Sequence, residues 1–113
     1  MPRNSPNPIS APAAVVDQAR RLGANIALAR KRRRLSQAGL ATKAGITRQT
    51  LRAVEAGELR VSLGICLAVL WALGLDGGLN AVASPETDRE GMTLEAARLG
   101  QRMRARTRLS DDF

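Results

Sequence analysis

The sequence predicts an all-α protein, a compact domain of four to five short helices carried between flexible N- and C-terminal tails. Three observations lead there. Hydrophobic residues make up 44% of the 113, yet only Trp71 and Phe113 are aromatic, so the core is built from Leu, Ile, Val and Ala, a composition that favours helices over strands. Apolar residues from Ala13 to Arg34 recur at intervals of three or four, the period of a helix with one buried stripe. Ser or Thr stands before, and glycine after, the later apolar stretches, which is the punctuation of helix ends. A chain of this length has room for one such domain plus tails.

Residues 1–12 carry Pro2, Pro6, Pro8 and Pro12 among Asn and Ser, and are expected to be a disordered lead. From Ala13 to Arg34, Val15, Ala19, Leu22, Ile26 and Ala29 form the apolar stripe of a first helix with arginines on its outer face. Ser36 is placed to cap a second helix, Gln37 to Ala44, which Gly45 ends. Thr47 caps a third, about Arg48 to Ala56, with Leu51 and Val54 inward and Gly57 as its stop. Ser62 caps a fourth through Leu73, closed by Gly74. The domain therefore spans 13–75, and residues 76–113 are expected to be a dimer arm and a partly disordered tail. There Asp76–Gly78 is turn chemistry, Leu79–Ala83 is a short strand or helix end, and 84–91 is linker. A fifth helix opening near Thr93 is expected to be interrupted by Gly100, with Ser110–Phe113 free.

The net charge of +8 is unevenly placed. Residues 1–75 hold twelve Arg or Lys against Asp17, Glu55 and Glu58, a net of +9, whereas residues 76–113 hold six Arg against seven acids, a net of −1. A basic field on the folded part suits a polyanion, because each neutralised phosphate releases condensed counterions. A bland reading stands beside it, in which the arginines only solvate the surface. With no histidine and Cys66 as the single cysteine, the chain offers no internal disulfide and no Cys/His cluster for zinc, and no metal or cofactor is expected. Cys66 reads as a small apolar core residue. The acids Asp17, Glu55 and Glu58 are scattered and no glycine-rich phosphate loop is present, so enzyme chemistry is not expected. The longest apolar stretch, Leu63–Leu75, is too short to span a bilayer, and a cytoplasmic protein is expected.

The spacing within residues 37–57 is the specific feature. Ala41 is small where two steeply crossing helices would touch, Gly45 follows four residues later at the tight turn, and Leu51 and Val54 take the buried positions of the next helix. The runs Leu35-Ser36-Gln37-Ala38-Gly39-Leu40-Ala41, Ala44-Gly45-Ile46-Thr47-Arg48-Gln49-Thr50-Leu51 and Val54-Glu55-Ala56-Gly57-Glu58 resemble the XRE, or Cro and phage-repressor, type of helix-turn-helix. Ser62-Leu63 and Ala72-Leu73-Gly74-Leu75 resemble that family's following helix. The resemblance covers roughly residues 19–76. Gly39 and Ala56 depart from it, each standing where the family usually has a polar residue.

The resemblance implies a lambda-repressor-like domain whose third helix enters the major groove of double-stranded DNA by its N-terminal end. It assigns Arg48 to guanine and Gln49 to adenine, with Arg52 or Ala53 at the groove edge. Gln37, Thr47, Thr50, Arg33 and Lys43 are then placed to hold phosphates. The run Arg30–Arg34 admits two readings, a grip on phosphates or a favourable charge at the end of the first helix. Glu55 reads as a structural ion-pair partner for that basic run. RNA is disfavoured, since no aromatic residue is available for base stacking on the basic surface.

The fourth helix is apolar on more than one side, and Leu70 and Trp71, together with Leu79 and Val82, are expected at a homodimer interface. Such a dimer implies a palindromic operator with half-sites one DNA turn apart. Three roles compete. The length and the stretch Leu73–Ala83 with its charged tail look like HipB-type antitoxins, autoregulating repressors that pair with a HipA-type kinase toxin. The alternatives are a stand-alone repressor of the same family and a protein-binding adaptor that keeps the fold.

Overall fold

A computed structural model of the protein describes residues 10–111. The described helices are α1 (Ala13–Arg32), α2 (Gln37–Ala44), α3 (Arg48–Glu55), α4 (Leu63–Leu73), a 3-10 helix (Asp76–Ala81) and α5 (Arg89–Asp111). The chain divides into two units, 1–77 and 78–113. Most of the lead expected over residues 1–12 lies outside the described residues, as do residues 112–113.

Helix ends in the first unit follow from local chemistry. The Ser36 hydroxyl accepts from the Gly39 amide at 2.9 Å, Thr47 from Thr50 at 3.1 Å and Ser62 from Ile65 at 3.2 Å, so each satisfies an amide that has no partner within its own helix. At the other ends, Gly45, Gly57 and Gly74 sit at φ of 73°, 73° and 77°, the left-handed region that a Cβ penalises. α1 ends without a glycine. Arg34 takes φ 55°, and the amides of Arg34 and Leu35 close back on the carbonyls of Lys31 and Arg30 at 2.9 and 3.2 Å.

Ile26, Leu40, Leu51 and Val69 are fully buried, one from each of α1 to α4, and Ala41, Val54, Leu70 and Leu73 complete the core. α2 packs on α3 and α4, and α1 packs on the same two. Gly23 and Gly57 set how closely α1 approaches α3. A Cβ at Gly23 would stand 2.5 Å from the Glu55 carbonyl oxygen and 2.7 Å from that of Val54, and one at Gly57 would stand 2.6 Å from the Ala19 carbonyl oxygen. Backbone therefore meets backbone at this crossing. Cys66 is half-buried beside a small cavity of about 60 Å³ that Gly23, Ile26 and Val54 also line, and burial pushes its thiol pKa up.

The structure corrects one expected interface residue. Leu70 is buried in the core of its own domain, so its side chain is not available to a second copy. Periodicity could not assign it, because α4 is apolar around its whole circumference. The solvent face of α4 instead presents Leu63, Leu67 and Trp71, one turn apart, with Trp71 65% exposed.

In the second unit, Leu79–Ala81 belongs to the 3-10 helix, Leu79 is half-buried and Val82 is exposed. Gly100 does not interrupt α5, which runs on to Asp111. One interior glycine costs about 1 kcal/mol, too little to end a helix that has no proline or capping residue beside it. α5 also starts four residues before Thr93, because Asp88 caps it by accepting from the Gly91 amide at 3.0 Å. Among the described residues, no helix is long and apolar enough to cross a membrane.

Candidate nucleic-acid interface

α3 is eight residues long and sharply two-faced. Leu51 and Val54 are buried against the other helices, and this fixes the rotation that turns Arg48, Gln49 and Arg52 to solvent. Gln49 and Arg52 line an open groove of about 760 Å³ between α3 and the loop before α4, with Thr47, Thr50 and Ala53 on the same wall. Arg48 is exposed at the N-terminal end of α3, outside that lining. Thr47 and Thr50 hold each other at this end, their hydroxyls 2.8 Å apart while Thr47 also caps the helix. The same end carries amides pointing outward and the positive pole of the helix dipole, a setting that favours an anion.

Arg60, unremarked in the sequence, borders the same groove from the loop after α3. Its guanidinium donates to Glu58 at 3.2 Å, and its side chain is 81% exposed. Its position two residues after an acid in a loop gives no sequence signal for a groove that only the fold creates.

One buried cluster holds α3 in place. Arg30 donates from Nε to one Glu55 oxygen at 2.7 Å and from a terminal nitrogen to the other at 3.2 Å, and its second terminal nitrogen donates to the Leu35 carbonyl at 3.0 Å. Gln37 adds a hydrogen bond to Glu55 at 3.1 Å. The end of α1, the loop after it, the start of α2 and the end of α3 are thereby tied at one carboxylate. Burial pushes the Glu55 pKa up, but the hydrogen bonds from Arg30 and Gln37 and the charges of Arg30 and Lys31 outweigh it, leaving the carboxyl below its ordinary range. Glu55 is thus the ion-pair partner expected of it, and the partner within the basic run is Arg30.

This cluster also sorts the basic run. Arg30 is consumed inside the domain, whereas Lys31, Arg32, Arg33 and Arg34 are exposed. Arg33 donates to the Ala29 carbonyl at 3.0 Å, a contact at the C-terminal end of α1 that fits the helix-end reading. Lys43 is exposed in the last turn of α2. Gln37 is half-buried with one N–H directed to Glu55, and its amide carries a second N–H beside it.

Residues 26–78 match the family model of the helix-turn-helix. This segment is similar to a helix-turn-helix. The match takes in α2, the Gly45 turn, α3 and α4, and supports a DNA-binding transcription regulator of the XRE type. No curated protein matches the chain. Within the helix-turn-helix, α3 stands in the position of the helix that enters the major groove.

Proposed function

We propose that the protein is a sequence-specific repressor that reads double-stranded DNA with α3 and binds a palindromic operator as a homodimer. The observation that carries this reading is the two-faced α3, which buries Leu51 and Val54 and leaves the side chains of Arg48, Gln49 and Arg52 free of protein hydrogen-bond partners among the described residues. Arg48 is assigned to guanine O6 and N7 and Gln49 to adenine N6 and N7, both bidentate, with Arg52 at the groove edge. Thr47, Thr50, Gln37, Arg33 and Lys43 are assigned to phosphates. The exposed stripe Leu63, Leu67 and Trp71 supports α4 as a dimer surface, since a row of large apolar side chains in water gains by burial against its own copy. Leu79 and Val82 are assigned to the same dimer.

Footprinting on the DNA upstream of the protein's own gene tests this reading. Arg48→Ala is expected to cost about 1–3 kcal/mol and to relax preference at one base pair per half-site, while Lys43→Ala weakens all sequences alike and lowers the salt slope by about one. Uniform weakening by Arg48→Ala would reassign Arg48 to phosphate. The finer role we propose is an autoregulating antitoxin, supported by the likeness of Leu73–Ala83 and the charged residues after it to HipB-type proteins. Co-purification of a HipA-type kinase encoded by a neighbouring gene checks it. A protein that protects its own upstream DNA but binds no such kinase is a stand-alone repressor.

A further inference from the structure

α5 has 23 residues, and those with described burial are exposed all round except the half-buried Gly91 and Gly100. A helix with glycines at 91 and 100 and threonines at 93 and 107 has weak intrinsic stability and needs packing to hold it. Four of its apolar residues are placed for such packing. Met92, Ala96, Leu99 and Met103 step by four, three and four along one face, the spacing of a two-helix seam, and Met92, Leu99 and Met103 are 45%, 51% and 68% exposed.

Charge along α5 is segregated. Glu90 and Glu95 lie near the start beside Arg89, and from residue 98 onward come Arg98, Arg102, Arg104, Arg106 and Arg108 with no acid between 96 and 110. The ion pairs among the described residues are Arg30–Glu55 and Arg60–Glu58, so none of these five arginines has an acidic partner there. Arginines at 98, 102 and 106 are also four apart on one face, a like-charge spacing that works against the helix.

We propose that α5 pairs antiparallel with α5 of a second copy of this chain. The seam is centred between residues 97 and 98, so that Met92 meets Met103 of the second copy and Ala96 meets its Leu99, each contact occurring twice by symmetry. Glu95 on one flank then faces Arg102 of the second copy, again twice. The other flank carries Thr93, Gly100 and Thr107, small enough to let the backbones approach. A parallel pair would lay the two arginine-rich halves side by side, and the charge order selects against it. Arg89 and Arg106 occupy the next seam positions and limit the contact to the stretch from Met92 to Met103, about 17 Å of helix.

Sedimentation equilibrium of the full chain without DNA tests the pairing and is separate from the repressor reading. Glu95→Arg and Arg102→Glu are each expected to raise the dimer dissociation constant on the order of tenfold, since each turns two attractive contacts into two repulsive ones. An equimolar mixture of the two variants is expected to return to the parent's value, because each supplies the charge the other lacks. Trp71→Ser, on the exposed face of α4, reports separately on the α4 contact. The proposal is overturned if neither charge variant weakens association, or if the mixture associates no more tightly than the variants alone.

Discussion

Replacing Gly23 by alanine is expected to lower the melting temperature of the domain by about 15 °C, the equivalent of roughly 3 kcal/mol in a domain of this size. The cause is steric. An added Cβ would stand 2.5 Å from the Glu55 carbonyl oxygen, 2.7 Å from the Val54 oxygen and 2.8 Å from the Gly57 nitrogen. These are backbone atoms at the end of α3 and cannot rotate away as a side chain would, so α1 must lift from α3. Lifting it loosens the contacts of Ile26 and pulls Arg30 from Glu55. Gly57→Ala is expected to do comparable damage from the opposite side, because its Cβ would meet the Ala19 oxygen and the Arg20 Cα at 2.6 Å, and φ of 73° adds about 1–2 kcal/mol of backbone strain. Gly64→Ala is the control. It meets nothing within 4 Å and is expected to leave stability unchanged or raise it by some tenths of a kcal/mol. Thermal melting of the three variants decides the matter, and a Gly23→Ala protein that melts with the parent would show that α1 does not press on α3.

Removing Arg30 is the second change with a large expected effect. Arg30→Met keeps most of the side-chain volume but leaves Glu55 buried without its cation and the Leu35 carbonyl without its donor, at a cost of about 3 kcal/mol. Glu55→Gln costs less, because a neutral amide can still accept from Arg30 and Gln37. It also carries a pH signature. The Glu55 carboxyl has its pKa lowered in the folded state, so the unfolded chain takes up the proton first as pH falls. The stabilisation is complete above the ordinary glutamate pKa of about 4.3 and is lost as pH falls through the folded-state value below it. Urea unfolding followed from neutral pH to below pH 4 is expected to show this loss in the parent and a smaller slope in Glu55→Gln. Equal slopes would mean that Glu55 does not feel Arg30.

The parts of this fold that could be read in the sequence are those set by chemistry within a few residues. Ser36, Thr47 and Ser62 cap their helices through an amide three positions on, and Gly45, Gly57 and Gly74 turn through φ values that most residues avoid, so element boundaries followed from short-range spacing. Gly23 could not be read that way. Inside a helix a glycine registers only as lost propensity, and its use appears only when a distant backbone arrives against it. Arg30 left a fainter trace, since it falls four residues after Ile26 on the buried stripe, where a charge needs a partner. The partner was recognisable as Glu55, but the basic run did not distinguish its members. For α4 the apolar pattern was too complete, and periodicity could not separate buried Leu70 from exposed Trp71. Arg60 reaches the groove only because the loop after α3 folds beside it.

The proposal that α3 reads bases rests on Arg48 and Gln49 standing in solvent at the start of a helix whose other face is fixed in the core. Selection of bound sequences from a random pool of duplex DNA at fixed salt tests it most directly. The parent is expected to enrich an inverted repeat with half-site centres about 34 Å apart, and Arg48→Ala and Gln49→Ala are each expected to lose preference at one defined position of each half-site. A pool that stays unenriched, or one enriched identically by the parent and both variants, would contradict it.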